Sequence, residues 1–249
     1  MNDIYLYDNT LDSLLALIVE LIKKRIVPFD IQTIENQENN LFTEIIYLEI
    51  ENISSNLQLL KKYITPKIYK SIYYVYLSNF KQKEILLYKF IKLALVYQEK
   101  VFYQRRSDTV NQVIRLGKQV ANEAHKLKGF IRFQELENHC LYAKIAPTHN
   151  ILFLITPHFQ KRLKKENWLI EDENRKLYAL YNLKQVYYIN SNIEISIQTK
   201  ITKTEEEMAS LWKVFHQTIA IKERTNKKCQ QNFMPKKYWK NMLEMEEEL

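Results

Sequence analysis

The stretch EAHKLKGFIRFQELENHCLYAKI, residues 123–145, switches from helical spacing to alternation within a few positions. Ahead of it, Val110, Val113, Gly117, Val120, Ala124 and Leu127 recur at intervals of three and four, one face of a helix that starts at Ser107. Gly117 lies on that stripe, which predicts close packing against a neighbour. Lys126 and Lys128 stand in the last turn, followed by Gly129 and Phe130, the order of a left-handed glycine just past a helix end. Phe130–Leu136 then reads as a strand, with Ile131 and Phe133 on one face and Arg132 and Gln134 on the other. Glu137-Asn138-His139 turns the chain, and Leu141, Ala143 and Ile145 alternate back as a hairpin. A helix feeding an antiparallel hairpin makes the class α+β: a helix-rich unit whose hairpins build a mixed or antiparallel sheet.

The same reading extends to both ends. Ile4–Tyr7 is a short strand, and Asp8 or Thr10 caps a helix carrying Leu11, Leu14, Leu15, Ile18, Leu21 and Ile22 inward. Thr43–Glu51 alternates as a strand. Ser54–Tyr63, Pro66–Phe80 and Glu84–Phe102 read as helices, the second with a stripe of Ile68, Ile72, Val75 and Tyr76. His149–Ile155 fits helix or strand. Thr156-Pro157 has the form of an N-cap with proline at the first helical position, opening a helix through Lys164. Strands follow at Trp168–Ile170, Lys176–Tyr181, Gln185–Ile189 and Ile193–Ile197. Thr204 and Glu207 have capping-box spacing ahead of a helix with Met208, Leu211, Trp212, Phe215 and Ile219 inward. Pro235 opens a short helix before the acidic end EMEEEL. The expectation is one α+β domain over 1–249, with a subdomain at 1–100.

Gly117 and Gly129 are the only glycines in 249 residues, where average usage gives about 17. Neither GxGxxG, GxxxxGK[ST] nor GxSxG can be written from this chain, which removes the glycine-rich phosphate loops and the glycine nucleophile elbow. Cys140 and Cys229 form no CxxC, so neither an iron–sulfur cluster nor a structural zinc is held by cysteine alone. No cofactor or metal is called for. Low cysteine usage and no recognisable signal peptide lead to a cytoplasmic expectation. The apolar stretches Leu14–Ile22 and Leu86–Val96 are too short or too interrupted to span a membrane.

The net charge is +8 and it is unevenly placed. Residues 1–60 hold three basic and ten acidic side chains, whereas 61–100 hold nine lysines and two glutamates. An acidic head on a basic body suits a protein that turns one face to a polyanion, against the plainer alternative of a solvated lysine-rich surface.

Four of the five histidines, His125, His139, His149 and His158, fall within 34 residues, but no HxxxH or HExxH pair exists and separate histidines are the better account. His125, beside Lys126 and Lys128, is placed to be a proton donor, a phosphate ligand or a cap on the last carbonyls. His158 and Arg162 share a helix face with Lys161 and Lys165 adjacent, and the helix N-terminus favours an anion near His158. The segment IKERTNKKCQQNFMPKKYWKNM, 221–242, is the densest set of nucleic-acid-competent side chains. Arg224, Lys227, Lys228, Lys236, Lys237 and Lys240 suit phosphates; Asn226, Gln230, Gln231 and Asn232 suit bases or sugars. Phe233, Tyr238 and Trp239 offer stacking surfaces, although plugging the tail into the core is the better account of them. No tight carboxylate pair and no Ser/His/Asp or Cys/His constellation specifies catalysis.

Six blocks, YDNTLDSLL (7–15), EAHKLKGFIRF (123–133), YAKIAPTHNIL (142–152), PHFQKRL (157–163), NWLIEDENR (167–175) and IKERTNKKCQQNFMPKKYWK (221–240), stand in the order of a bacterial DNA metabolism protein family, domain of unknown function 4130, which the chain resembles along essentially its whole length. The resemblance implies a role in DNA repair or modification. It implies a radical S-adenosylmethionine protein as partner, and in other bacteria a similar domain is fused to a uracil-DNA glycosylase-like domain. Carried over by position, the family's polar residues are His125, Lys126, Lys128, Gly129, Arg132, His149, His158, Arg162, Asp172, Arg175, Arg224, Asn226, Gln230, Tyr238 and Trp239. This chain departs from the pattern at Asn9, where glycine is usual, and at Thr148 and Asn182, where an acid is usual, so no acid role carries over there.

The expectation is therefore a DNA-binding accessory protein, the DNA single-stranded or damaged, acting with the radical enzyme and without a membrane. The nucleic-acid-binding residues would be Lys126, Lys128, Gly129, Arg132, His149, Arg162, Arg175, Arg224, Asn226, Gln230, Lys236, Lys237, Tyr238 and Trp239. The alternatives are a glycosylase- or lyase-type enzyme using His125 or His158, with Arg132 or Arg162 on a phosphate, and a scaffold for the partner that binds no nucleic acid.

Overall fold

The structure is a computed structural model. It describes residues 2–36, 43–50, 52–190, 200–219 and 221–248; the strand expected at 193–197 lies outside these. The fold is α+β, and the chain divides into two compact units, Met1–Ala121 and Asn122–Leu249.

The first unit begins with β1 (Asn2–Tyr7), α1 (Leu11–Lys23) and β2 (Asp30–Thr33). Thr10 is the cap of α1, its hydroxyl accepting from the Ser13 amide. β1 pairs in parallel with β2 and with β3 (Thr43–Ile46), giving the order β2-β1-β3. A parallel partner needs a crossover, and α1 supplies it, burying Leu14, Leu15, Leu17, Ile18 and Leu21. The strand β2 is only four residues long, too short to stand out in the sequence, yet its burial alternates, with Ile31 and Thr33 inward and Asp30 and Gln32 half-buried. The helices α2 (Ile53–Tyr63), α3 (Pro66–Leu77) and α4 (Lys83–Tyr97) join one core in which Ile68, Ile72, Val75, Leu87, Phe90 and Ile91 are fully buried. α4 stops five residues short of Phe102 because Gln98 adopts a positive φ of 48° and a 3-10 turn continues to Tyr103.

Helix α5 runs Asp108–Phe130, and the boundary between the units falls within it. Val110, Val113, Val120, Ala124 and Leu127 are buried as the periodicity requires. Gly117 is not packed: Leu116 takes the buried position, and a Cβ at 117 would meet nothing within 4 Å. Gly129 is no left-handed cap either. No glycine has a positive φ, and the helix continues through it. The Ile131 amide still reaches the Leu127 carbonyl, and the Arg132 guanidinium donates to the carbonyls of Gly129 (2.9 Å) and Ile131 (3.4 Å). A side chain thus satisfies the last-turn carbonyl of Gly129 at this helix end.

In the second unit the expected strand 130–136 shrinks to β4 (Gln134–Glu135), antiparallel to β5 (Leu141–Ile145). The hairpin turn is where the sequence puts it, with His139 at φ 58° and its amide on the Leu136 carbonyl. The sheet runs β4-β5-β6-β7-β8, with β6 (Trp168–Asp172), β7 (Leu177–Tyr181) and β8 (Val186–Asn190). It is mixed: β5 and β6 are parallel and the other pairs antiparallel. The parallel step is carried by α6 (Leu152–Arg162). That helix starts four residues before Thr156, because Leu152, Ile155, Thr156 and Phe159 form a buried stripe. Pro157 therefore lies inside the helix, and the buried Thr156 hydroxyl shares a 2.6 Å hydrogen bond with the Tyr188 hydroxyl instead of capping.

α7 (Lys203–Ile219) is capped by Thr202, whose hydroxyl accepts from Glu205, two positions ahead of the expected Thr204–Glu207 box. Its apolar residues are not inward: Met208, Leu211, Trp212, Phe215 and Ile219 are all exposed. α8 (Lys227–Phe233) and two 3-10 turns, Lys236–Asn241 and Leu243–Glu248, complete the unit. Tyr238, Trp239, Met242 and Met245 are buried, which seats these turns. Among the described residues no helix is long and apolar enough to cross a membrane.

Candidate functional site

One buried carboxylate ties together three segments of the second unit. Glu123 lies on the buried face of α5, between Val120 and Leu127. It accepts from the amides of Thr148 (3.1 Å) and His149 (2.7 Å), from Lys237 Nζ (2.5 Å) and from the Tyr238 hydroxyl (2.9 Å). Burial alone would raise its pKa, but the hydrogen bonds from Lys237, His149 and Thr148 and the lysine charge bring it down to about 2. The same burial and carboxylate push the Tyr238 phenol up.

The Pro147–His149 loop is held from its other side as well. Asp172, fully buried, accepts from Arg175 at 3.0 Å. Arg175 also donates to the carbonyls of Pro147 (3.1 Å) and Thr148 (2.6 Å), and Asn174 donates to Pro147 at 2.9 Å. Burial outweighs the arginine, so Asp172 titrates above the usual range for aspartate. With both its amides and its carbonyls committed, this loop fixes where α6 begins, and so where His158 and Arg162 stand.

A cavity of about 220 Å³ lies beyond that helix. Lys128, Arg132 and Arg162 supply its charge, and Ile131, Phe133 and Phe159 its apolar lining, with Phe133 and Phe159 edge to face at 5.2 Å. Arg132 is neutralised by Glu244 at 2.5 Å, and Glu244 also accepts from the Trp212 indole at 3.3 Å. Lys128 and Arg162 make no ion pair among the described residues. His158 stands next to this set: its ring meets Phe159 edge-on at 5.0 Å, and its Nε2 is buried without a hydrogen-bond partner among the described residues. Burial, with Lys128 and Arg162 nearby, holds its pKa below the ordinary imidazole value. Arg132 also lines a second cavity of about 280 Å³.

The sequence-selected residues divide accordingly. Lys128, Gly129, Arg132 and Arg162 meet at one cavity, with His158 beside them. His149, Arg175, Lys237 and Tyr238 belong to the Glu123 and Asp172 anchors, and burial, with the Lys237 and Arg175 charges, holds the His149 pKa below the ordinary imidazole value against the pull of Glu123. His125 and Arg224 are exposed and line neither cavity. Lys126 donates to the Asn232 carbonyl at 3.4 Å, Asn226 is the N-cap of α8, and Gln230 reaches Met245 Sδ at 3.9 Å. Lys236 lies 5.6 Å from the ring of Trp239, which is buried with its indole on the Met234 carbonyl. Of the three aromatics only Phe233 is exposed. His139 pairs with Glu135, and no group of three or more metal-binding side chains occurs among the described residues.

Glu123 carries one signal in the sequence, a lone acid on an otherwise apolar stripe. Lys144, which lines the second cavity, had no signal beyond its place on a strand.

No curated protein matches the chain. Residues 81–244 match the family model DUF4130, a domain of unknown function, leaving the YDNTLDSLL block outside the match. That span is more than half of the 249 residues, and the chain belongs to this family.

Proposed function

We propose that the second unit binds nucleic acid through the cavity of Lys128, Arg132 and Arg162, and that the chain serves DNA repair or modification beside a radical S-adenosylmethionine enzyme. One observation carries the binding: three cations line an apolar cavity, two of them without an ion-pair partner among the described residues. Unpaired cations attract phosphates, and an apolar lining that includes Phe133 and Phe159 suits an unstacked base. The DNA context and the partner rest on the family resemblance alone. The test is anisotropy of a labelled single-stranded oligonucleotide over a salt series. The logarithm of affinity falls by about 0.7 per phosphate contact per log unit of salt. Absent or salt-insensitive binding at low salt defeats the reading.

A second reading, direct processing of nucleic acid, is favoured by His158. A buried Nε2 without a hydrogen-bond partner among the described residues, on an imidazole whose pKa lies below the ordinary value, suits a proton acceptor. It predicts turnover of damaged oligonucleotides by the purified chain, lost in His158→Ala; equal turnover by that variant rules it out.

A further inference from the structure

We infer that the second cavity, beyond Arg132, is a pocket for a single nucleotide unit, a planar base bearing a phosphate; this rests on the nucleic-acid reading above. Its volume, about 280 Å³, sits just under the usual lower bound of about 300 Å³ for small-ligand sites, which limits the occupant to one nucleotide.

The lining supplies the three chemistries such a ligand needs. Lys144 and Lys240 provide positive charge beside Arg132. Arg132 is already engaged by Glu244, and Lys240 meets Glu173 at 3.3 Å with most of its side chain in water. A solvent-exposed pair of that kind yields readily to a competing anion, and Lys144 makes no ion pair among the described residues. Two carboxamides, Gln134 and Asn241, line the same space, and neither side chain makes a hydrogen bond among the described residues. Each offers an acceptor and two donors, the combination that reads a base edge. Tyr142, Ile201 and Leu243 supply apolar wall, and the Tyr142 hydroxyl donates to Glu171, which fixes the ring.

A bare anion would be served by the lysines alone. The paired carboxamides and the apolar wall add nothing for inorganic phosphate and little for a sugar phosphate, and they are what selects a nucleotide. The unit could arrive free or as an unstacked member of a strand, because the recognised groups are the same.

Calorimetric titration of the full chain with the four deoxynucleoside 5′-monophosphates, ribose 5-phosphate and inorganic phosphate tests the pocket. The expected result is at least one mononucleotide bound tenfold or more tighter than either phosphate. Gln134→Leu and Asn241→Leu each lose about tenfold, while a Lys128→Gln/Arg162→Gln double variant keeps wild-type mononucleotide affinity. Equal affinity for nucleotide and phosphate, or no binding, overturns the inference. A single-stranded oligonucleotide with an internal 2-aminopurine separates the sources. A fluorescence rise that Asn241→Leu abolishes marks a strand residue, and mononucleotide binding without that rise marks a free nucleotide. Salt-sensitive oligonucleotide binding with no mononucleotide preference removes only this pocket. Mononucleotide binding without oligonucleotide binding removes the reading above and leaves the pocket standing.

Discussion

Lys237 Nζ lies 2.5 Å from Glu123 Oε1, a contact between residues 114 positions apart that joins α5 to the 3-10 turn at Lys236–Asn241. The lysine also donates to the Thr148 hydroxyl at 2.8 Å, so one ammonium spans the helix and the loop before α6. Charge-assisted bonds of this kind are worth more than neutral ones, and a buried carboxylate left without them is costly.

Acid stability should therefore report on Glu123. Its folded pKa of about 2 lies below the ordinary 4.5. Stability from a depressed carboxylate is fully present above the unfolded value and is lost as pH falls toward the folded one. A shift of this size corresponds to roughly 3 kcal/mol. Thermal melts of the wild type should decline between about pH 4.5 and 2, whereas Glu123→Gln should be less stable at neutral pH and show a flatter acid limb.

Lys128→Gln and Arg162→Gln should each lower the salt slope of oligonucleotide binding by about 0.7, the share of one single-strand phosphate contact. Wild-type slopes in both variants would place the phosphates elsewhere.

Glu244→Gln should strengthen oligonucleotide binding. The carboxylate, held below its usual range by Arg132 against the upward push of burial, neutralises that guanidinium. Removing its charge should raise affinity two- to tenfold, about 0.4–1.4 kcal/mol, and unchanged affinity would show that Arg132 takes no part.

Both glycines should tolerate alanine. A Cβ at Gly117 or Gly129 meets nothing within 4 Å and neither φ is positive. Gly117→Ala should stabilise by about 1 kcal/mol, the mid-helix difference between the two residues. Gly129→Ala, near the helix end, should be neutral or mildly stabilising; a loss above about 1 kcal/mol would restore the left-handed cap. Melting temperatures decide.

The His158 midpoint, followed by NMR of its ring protons, should lie below 6.5 and rise in Lys128→Gln. Burial is the largest contributor to its depression and Lys128 the next, so the rise should be partial.

The readable parts of the fold are those with local causes. The Thr10 cap, the stripe Ile68, Ile72 and Val75, the His139 turn and the antiparallel run β6-β7-β8 all follow from neighbouring residues. Failures arise where a side-chain partner outside the local pattern, near or far in sequence, overrides a local rule. The helix runs through Gly129 because Arg132 reaches back to its carbonyl. Thr156 loses its capping role to Tyr188, a residue of β8, and the exposed α7 stripe shows that amphipathic spacing fixes a helix without saying what covers it. The same holds for the site. Lys128, Arg132 and Arg162 stand out by charge, whereas the carboxylate that orders the loop between β5 and α6 shows in the sequence only as a lone acid on an apolar stripe, and its role follows from its partners at 148, 149, 237 and 238.

Arg132 lines both cavities. A single guanidinium cannot serve two anions as fully as it serves one, so occupancy on one side alters the field on the other. Thermodynamic reciprocity then fixes the bookkeeping: whatever factor a mononucleotide imposes on strand affinity, the strand imposes on the mononucleotide. Two titrations in opposite order should return the same coupling constant, and Arg132→Gln should bring it to one.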